Sequence, residues 1–118
     1  MNVNKIILSG NLVKDMEVIS TKSGCFGKIT IANNRGYGEY EKTNFIQCTI
    51  FGEKRVEGLE QLLVTGTGVL ITGELDITSK ETEDGWVTFT NVKVDDIEIT
   101  RFKSNDEKDD KKKKYKKR

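Results

Sequence analysis

Along most of residues 1–100 apolar and polar side chains alternate with a period of two, the pattern of strands that bury one face. The clearest case is 43–51, TNFIQCTIF, where Phe45, Gln47, Thr49 and Phe51 share one face and Ile46, Cys48 and Ile50 the other. In 25–33, CFGKITIAN, Ile29 and Ile31 oppose Lys28, Thr30 and Ala32. Further strands are predicted at 4–13, 68–78 and 86–100 from their Ile, Leu, Val and Thr content, and Asp84-Gly85 marks a hairpin between the last two. One segment differs. In 53–64, EKRVEGLEQLLV, Val56, Leu59 and Leu63 recur at helical spacing, and Gly58 keeps the predicted helix short.

Five short strands with one helix between the third and fourth predict an all-β chain, a five-stranded Greek-key barrel of the OB-fold type. A β-sandwich would need more strands. The barrel is expected over residues 1–102, followed by a disordered charged tail over 103–118. Composition supports the division, because 33% charged against 35% hydrophobic residues is lean for a chain packed throughout. Residues 1–100 carry ten cationic and fifteen anionic side chains, net −5, and the last eighteen carry ten and four, net +6. The end, KKKKYKKR, is seven cations around Tyr115. The charge plan is an acidic body with a basic tail.

Several function classes drop out. The chain has no histidine, and its two cysteines, Cys25 and Cys48, are too few for a structural zinc site, so no metal or cofactor is expected. No phosphate-binding G-x-x-x-x-G-K-[ST] loop occurs and the carboxylates are scattered, so an enzyme is not expected. No apolar run is long enough to span a membrane, the N-terminus lacks a secretory pattern, and two separate cysteines suit a reducing cytoplasm.

The segments NKIILSGNLVKD, SGCFGKITIANN, TNFIQCTIFGE and GTGVLITGELDI, in this order and spacing, resemble the bacterial and phage-type single-stranded DNA-binding proteins over residues 1–100. The resemblance implies sequence-tolerant binding and protection of single strands during replication, recombination or repair. It also implies a homo-oligomer, a tetramer rather than a dimer. Bases would stack on aromatic side chains while Lys and Arg follow the phosphates. The family's stacking aromatics fall on Tyr37, Phe45 and Phe51, with Tyr40 in the same Gly-rich loop as Tyr37. The fourth falls near Lys80, so one platform is missing, and Trp86 across the same hairpin is the candidate replacement. Phe26 and Phe89 are assigned to the core or a subunit contact.

Where the family places cations along its groove, this chain has Gln47, Glu53 and Thr65. Lys5, Arg35, Lys54 and Lys80 remain as candidate phosphate contacts, with Gln47 as a polar contact. Subunit contact is expected at 4–12 and on the face of Val92 and Val94. The family typically ends in a flexible acidic tail with a hydrophobic tip that recruits repair and replication proteins. That role does not carry over to a basic end, which instead suggests a phage or mobile-element version. Two other readings stay open: an OB barrel for RNA or a structured nucleic acid, and a protein-interaction module that touches nucleic acid only through its tail.

Overall fold

Branched and aromatic residues pack well on a pleated surface, and they recur through the strands that make up most of this structure. In the computed structural model, which describes residues 1–102, they form six strands. These are β1 (Ile6–Leu12), β2 (Glu17–Thr21), β3 (Gly24–Arg35), β4 (Lys42–Phe51), β5 (Gly68–Thr82) and β6 (Gly85–Arg101). One helix, α1 (Glu53–Leu59), joins β4 to the segment before β5, and a single 3-10 turn at Gly38–Tyr40 joins β3 to β4.

The strand order is β1-β5-β6-β4-β3-β2. Asn11 and Leu12 of β1 also pair with Ala32 and Ile31 of β3, so β1, β5, β6, β4 and β3 close into a ring. β4 and β6 run parallel, from Cys48 beside Val92 to Ile50 beside Val94, and the other pairings are antiparallel. This is the five-stranded barrel expected from the strand spacing.

β2 lies outside the ring, paired with β3, and was not expected. Its sequence, EVIST, sets Val18 beside Ile19 and has no period-two alternation. Its strand character comes from the antiparallel pairing of Glu17–Thr21 with Gly24–Lys28 across a tight turn.

Inward residues of the five barrel strands make the core. Ile29, Ile31, Cys48, Ile50, Val69, Ile71, Val92 and Val94 are buried there, with Leu12 at one end and Val56 and Leu63 closing the barrel from α1 and the turn after it. Val92 and Val94 are only 2% and 3% exposed within one chain, so the expectation that they face a partner subunit is corrected. Parallel pairing to β4 turns them inward.

The helix also ends sooner than its apolar spacing predicts, at Leu59. The amides of Leu62 and Leu63 both donate to the Leu59 carbonyl at 2.9 Å, and the resulting turn carries Leu63 into the core. The Leu63 carbonyl then accepts the Met16 amide at 2.8 Å. A turn thus delivers the same apolar residue that a further helical turn would have presented.

Closing five strands into so narrow a ring needs sharp bending, and β5 bends at a register shift between Thr72 and Gly73. A Cβ at Gly73 would run into the Lys93 carbonyl of β6, so only glycine lets the two backbones approach there. At the far end of the barrel the Arg101 guanidinium donates to Asn11 Oδ1 at 3.1 Å and to the Gly66 carbonyl at 3.3 Å. The expected tail, 103–118 with its basic run, lies outside the described residues.

Candidate nucleic-acid interface

β4 supplies the centre of the candidate site. Its inward side chains, Cys48 and Ile50, are buried, and its outward ones include Phe45 at 67% exposure and Phe51 at 48%. Gln47 is exposed between them. Thr49, on the same face, is covered: it stands between Lys28 of β3 and Lys93 of β6 in register, and its hydroxyl donates to Asn91 Oδ1 at 3.0 Å. Gln47 opens onto a recess of about 110 Å³ that it lines together with Lys14, Lys28, Thr30 and Asn91.

Neighbouring strands add residues to this face. Phe26 pairs with Phe51 across β3 and β4, and their ring centroids lie 5.9 Å apart at an interplanar angle of 34°. From the other side, Lys93 Nζ lies 6.0 Å from the Phe51 centroid, at the outer range of a cation–π contact. Phe26 therefore belongs to the outer face and not to the core. Lys28 and Lys93, absent from the residues singled out in the sequence, are the cations closest in register to this row. The outward direction of Lys28 is legible from the alternation of 25–33. The register that brings it beside Thr49 is not.

The β3–β4 connection presents Tyr37. Gly36 and Gly38 take positive φ, +79° and +64°, around a tyrosine in extended backbone, a sequence of conformations that other residues at the two flanking positions would resist. Tyr37 and Tyr40 are 85% and 80% exposed. Arg35 opposes Lys42 where this loop closes, and alternation puts that pair on the opposite face of the ribbon from Ala32 and Phe45.

β5 and β6 extend beyond the barrel as a long hairpin. Asn91, tied to Thr49, sets its outward face, and alternation then places Phe89, Val87, Thr78 and Lys80 on that face. Trp86 opposes Glu81 and shares the other face with Ile77. The structure therefore does not bring Trp86 beside Lys80, and the aromatic that lies with Lys80 is Phe89, 54% exposed.

The remaining candidates are more scattered. Lys5 is exposed just before β1, with β5 and β6 between that strand and β4, next to Asn4, whose amide exchanges hydrogen bonds of 2.8 Å with the Leu75 backbone. Lys54 is exposed on α1, three residues beyond Phe51. Thr65 has a structural partner, because its amide and hydroxyl both donate to Asp15 Oδ1.

Cys48 is buried, and burial pushes its thiol up to about 12. Cys25 is half-buried and its thiol is also pushed up, by desolvation first and then by the carboxylates of Glu53, Glu57 and Glu60. Both are free thiols that stay protonated at neutral pH. No group of three or more His, Cys, Asp or Glu among the described residues could hold a metal ion. No helix among them is long and apolar enough to cross a membrane.

Residues 3–103 match the model of the single-strand binding protein family. The chain belongs to that family. It is a family of non-enzymatic binding proteins. A single-stranded DNA-binding protein of Borreliella burgdorferi is 34% identical over 79 residues, covering 63% of this chain and 52% of that protein. Single-stranded DNA-binding protein 2 of Staphylococcus aureus strain COL is 32% identical over 109 residues, covering 87% and 77%. The chain thus spans about half the length of the first relative and about three quarters of the second.

Among solved structures, the mitochondrial single-stranded DNA-binding protein of S. cerevisiae superposes with a TM-score of 0.74 at 21% identity, covering 87% of this chain and 100% of the other. A Plasmodium falciparum SSB, solved with single-stranded DNA, gives 0.74 at 16% identity, covering 88% and 97%. These two support the barrel architecture assigned above.

Proposed function

We propose that this protein binds single-stranded DNA along the outer face of β3, β4 and β6, with bases stacked on Tyr37, Phe45 and Phe51. One observation carries the reading: Phe45 and Phe51 point to solvent although the opposite face of β4 already fills the core. A strand that needed aromatics only for packing would turn them inward. Family membership and the relatives named above support DNA as the ligand.

Each stacked base is worth ~1–3 kcal/mol, so three platforms supply a gross ~3–9 kcal/mol before ordering costs are subtracted. Lys93 adds a phosphate contact beside Phe51 and Lys28 one beside Thr49, with Lys54, Lys80 and Lys5 further out; Arg35, on the reverse of the β3–β4 ribbon, meets a phosphate only where the strand rounds the Tyr37 loop. Gln47 adds a polar contact between the two phenylalanines. In this reading the protein coats and protects strands during replication, recombination or repair in a bacterial cytoplasm, including that of a phage host.

A homo-oligomer is part of the proposal. β1 pairs with β5 along Ile6–Asn11 but reaches β3 only through Asn11 and Leu12, so one edge of Ile6–Gly10 is left without a strand partner among the described residues. Such an edge, with Ile7 66% exposed, is suited to pairing with a second copy.

The test is fluorescence anisotropy of labelled oligo-dT with the wild type and with the Phe45→Ala/Phe51→Ala double variant, checked for folding by circular dichroism. A loss of at least tenfold supports stacking. Unchanged affinity refutes it and points to the basic tail, and tighter binding of oligo-U than of oligo-dT shifts the reading to RNA.

A further inference from the structure

The Phe51 ring is bounded differently on its two sides. Toward β6 lies the Lys93 ammonium, 6.0 Å from the ring centroid. Toward β3 lies an open recess of about 380 Å³ lined by Phe51 and Phe26, the hydroxyl residues Thr21 and Ser23, Cys25 and Glu53, with Gly24 and Gly52 contributing backbone. Among the described residues no cation lines this recess, and Glu53 is the one charged residue that does. The Cys25 thiol in its wall is pushed up by desolvation first and then by the carboxylates of Glu53, Glu57 and Glu60, so negative charge also acts on the recess from the α1 side. A phosphate is repelled from such a place. A flat neutral ring is not: two aromatic walls offer stacking, and the rim offers a hydrogen-bond acceptor.

We propose that the recess receives a nucleobase with an amine at pyrimidine C4 or purine C6, cytosine or adenine, stacked against Phe26 and Phe51 with its amino group on the Glu53 carboxylate. The adjoining phosphate then lies toward Lys93. The inference rests on the proposal that the protein binds single-stranded DNA, and adds that one position along the strand is read for its hydrogen-bonding edge. A carboxylate only accepts, so it pairs with an amine and opposes the carbonyl that uracil or thymine presents at the same place. Sequence tolerance elsewhere on the face is unaffected, since stacking accepts every base.

The experiment compares labelled oligo-dC and oligo-dU of equal length at pH 8, because at the position facing Glu53 the two bases present amine against carbonyl; they differ besides only at N3, an acceptor in cytosine and an N–H donor in uracil. Both are titrated with the full chain as wild type, Glu53→Gln and Glu57→Gln. Removing a carboxylate strengthens binding of any polyanion, so the readout is the ratio of the oligo-dU to the oligo-dC dissociation constant, in which that general effect cancels.

The ratio is expected to fall about fivefold in Glu53→Gln, the low end of what one base-edge contact discriminates, and to stay at the wild-type value in Glu57→Gln. An unchanged ratio in Glu53→Gln overturns the inference, as does an equal fall in both variants, which would reveal a diffuse field instead of a contact. If neither oligonucleotide binds the wild type, it is the single-stranded DNA reading itself that fails.

Discussion

Lys93 on β6 holds its ammonium 6.0 Å from the centre of the Phe51 ring on β4, so a cation and a stacking surface meet across a parallel strand pair. Phe51 gains a second neighbour in Phe26 at 5.9 Å. A nucleotide seated on Phe51 would find its base on the rings and its phosphate near Lys93. The two contributions have different signatures in salt, because stacking is insensitive to counterions and phosphate neutralisation is not.

Phe51→Ala should therefore weaken oligo-dT binding by ~1–3 kcal/mol, about 5- to 150-fold, with little change in the salt slope. Lys93→Ala should lower that slope by about 0.7, the value for one phosphate contact on a single strand, and cost less affinity at moderate salt. Titrations between low and moderate salt check both, and identical salt slopes for Lys93→Ala and wild type would remove Lys93 from the contact.

The hairpin offers a contrast between two aromatics. Phe89 shares the face of Lys80 and Asn91, whereas Trp86 stands on the reverse side with Ile77. Phe89→Ala is expected to weaken oligo-dT binding several-fold, at the lower end of the stacking range of ~1–3 kcal/mol. Trp86→Ala should change it by less than twofold. The opposite ranking by anisotropy would mean that the strand crosses to the other side of the hairpin.

The cysteines make a prediction in pH. An acid whose pKa rises on folding keeps its proton longer in the native chain than in the unfolded one, so stability is fully present below the unfolded value and declines above it. For Cys48 the window runs from the ordinary thiol value, 9.0, up to about 12. Across it stability should fall by at most about 1.4 kcal/mol per pH unit on this group's account. Urea unfolding at pH 8, 9 and 10 of wild type and Cys48→Val should show the extra decline only in the wild type. With iodoacetamide at pH 8, Cys25 should react before Cys48, which mass spectrometry of the native protein resolves.

Gly73→Ala is expected to destabilise the fold by ~1–3 kcal/mol or more, because the added methyl meets the Lys93 carbonyl, a backbone atom that cannot turn aside. Gly58→Ala, where a Cβ meets open space within α1, should leave stability unchanged or raise it by up to ~1 kcal/mol. Urea midpoints of the two variants give the comparison.

Much of this was open to reading in the chain. The alternation in 43–51 alone separates Cys48 and Ile50, which are buried, from Phe45, Gln47 and Phe51, which are not. Val56, Leu59 and Leu63 were correctly read as one apolar set, although a turn and not a longer helix brings Leu63 inward. β2 escaped because its five residues have no alternation of their own and become a strand only through β3.

Inward or outward direction is a property of a single strand, since successive side chains point to opposite faces whatever lies beside it, and so the sequence by itself determined which β4 residues point out of the barrel, though not that Thr49 among them is covered. Neighbourhood is not such a property. Register between strands distant in the chain is set by turns, bulges and the fit of facing side chains, and shifting it by one residue changes every partner. Only the tertiary structure could bring Phe26 and Lys93 around Phe51, set Lys28 beside Thr49, turn Val92 and Val94 into the core, and part Trp86 from Lys80.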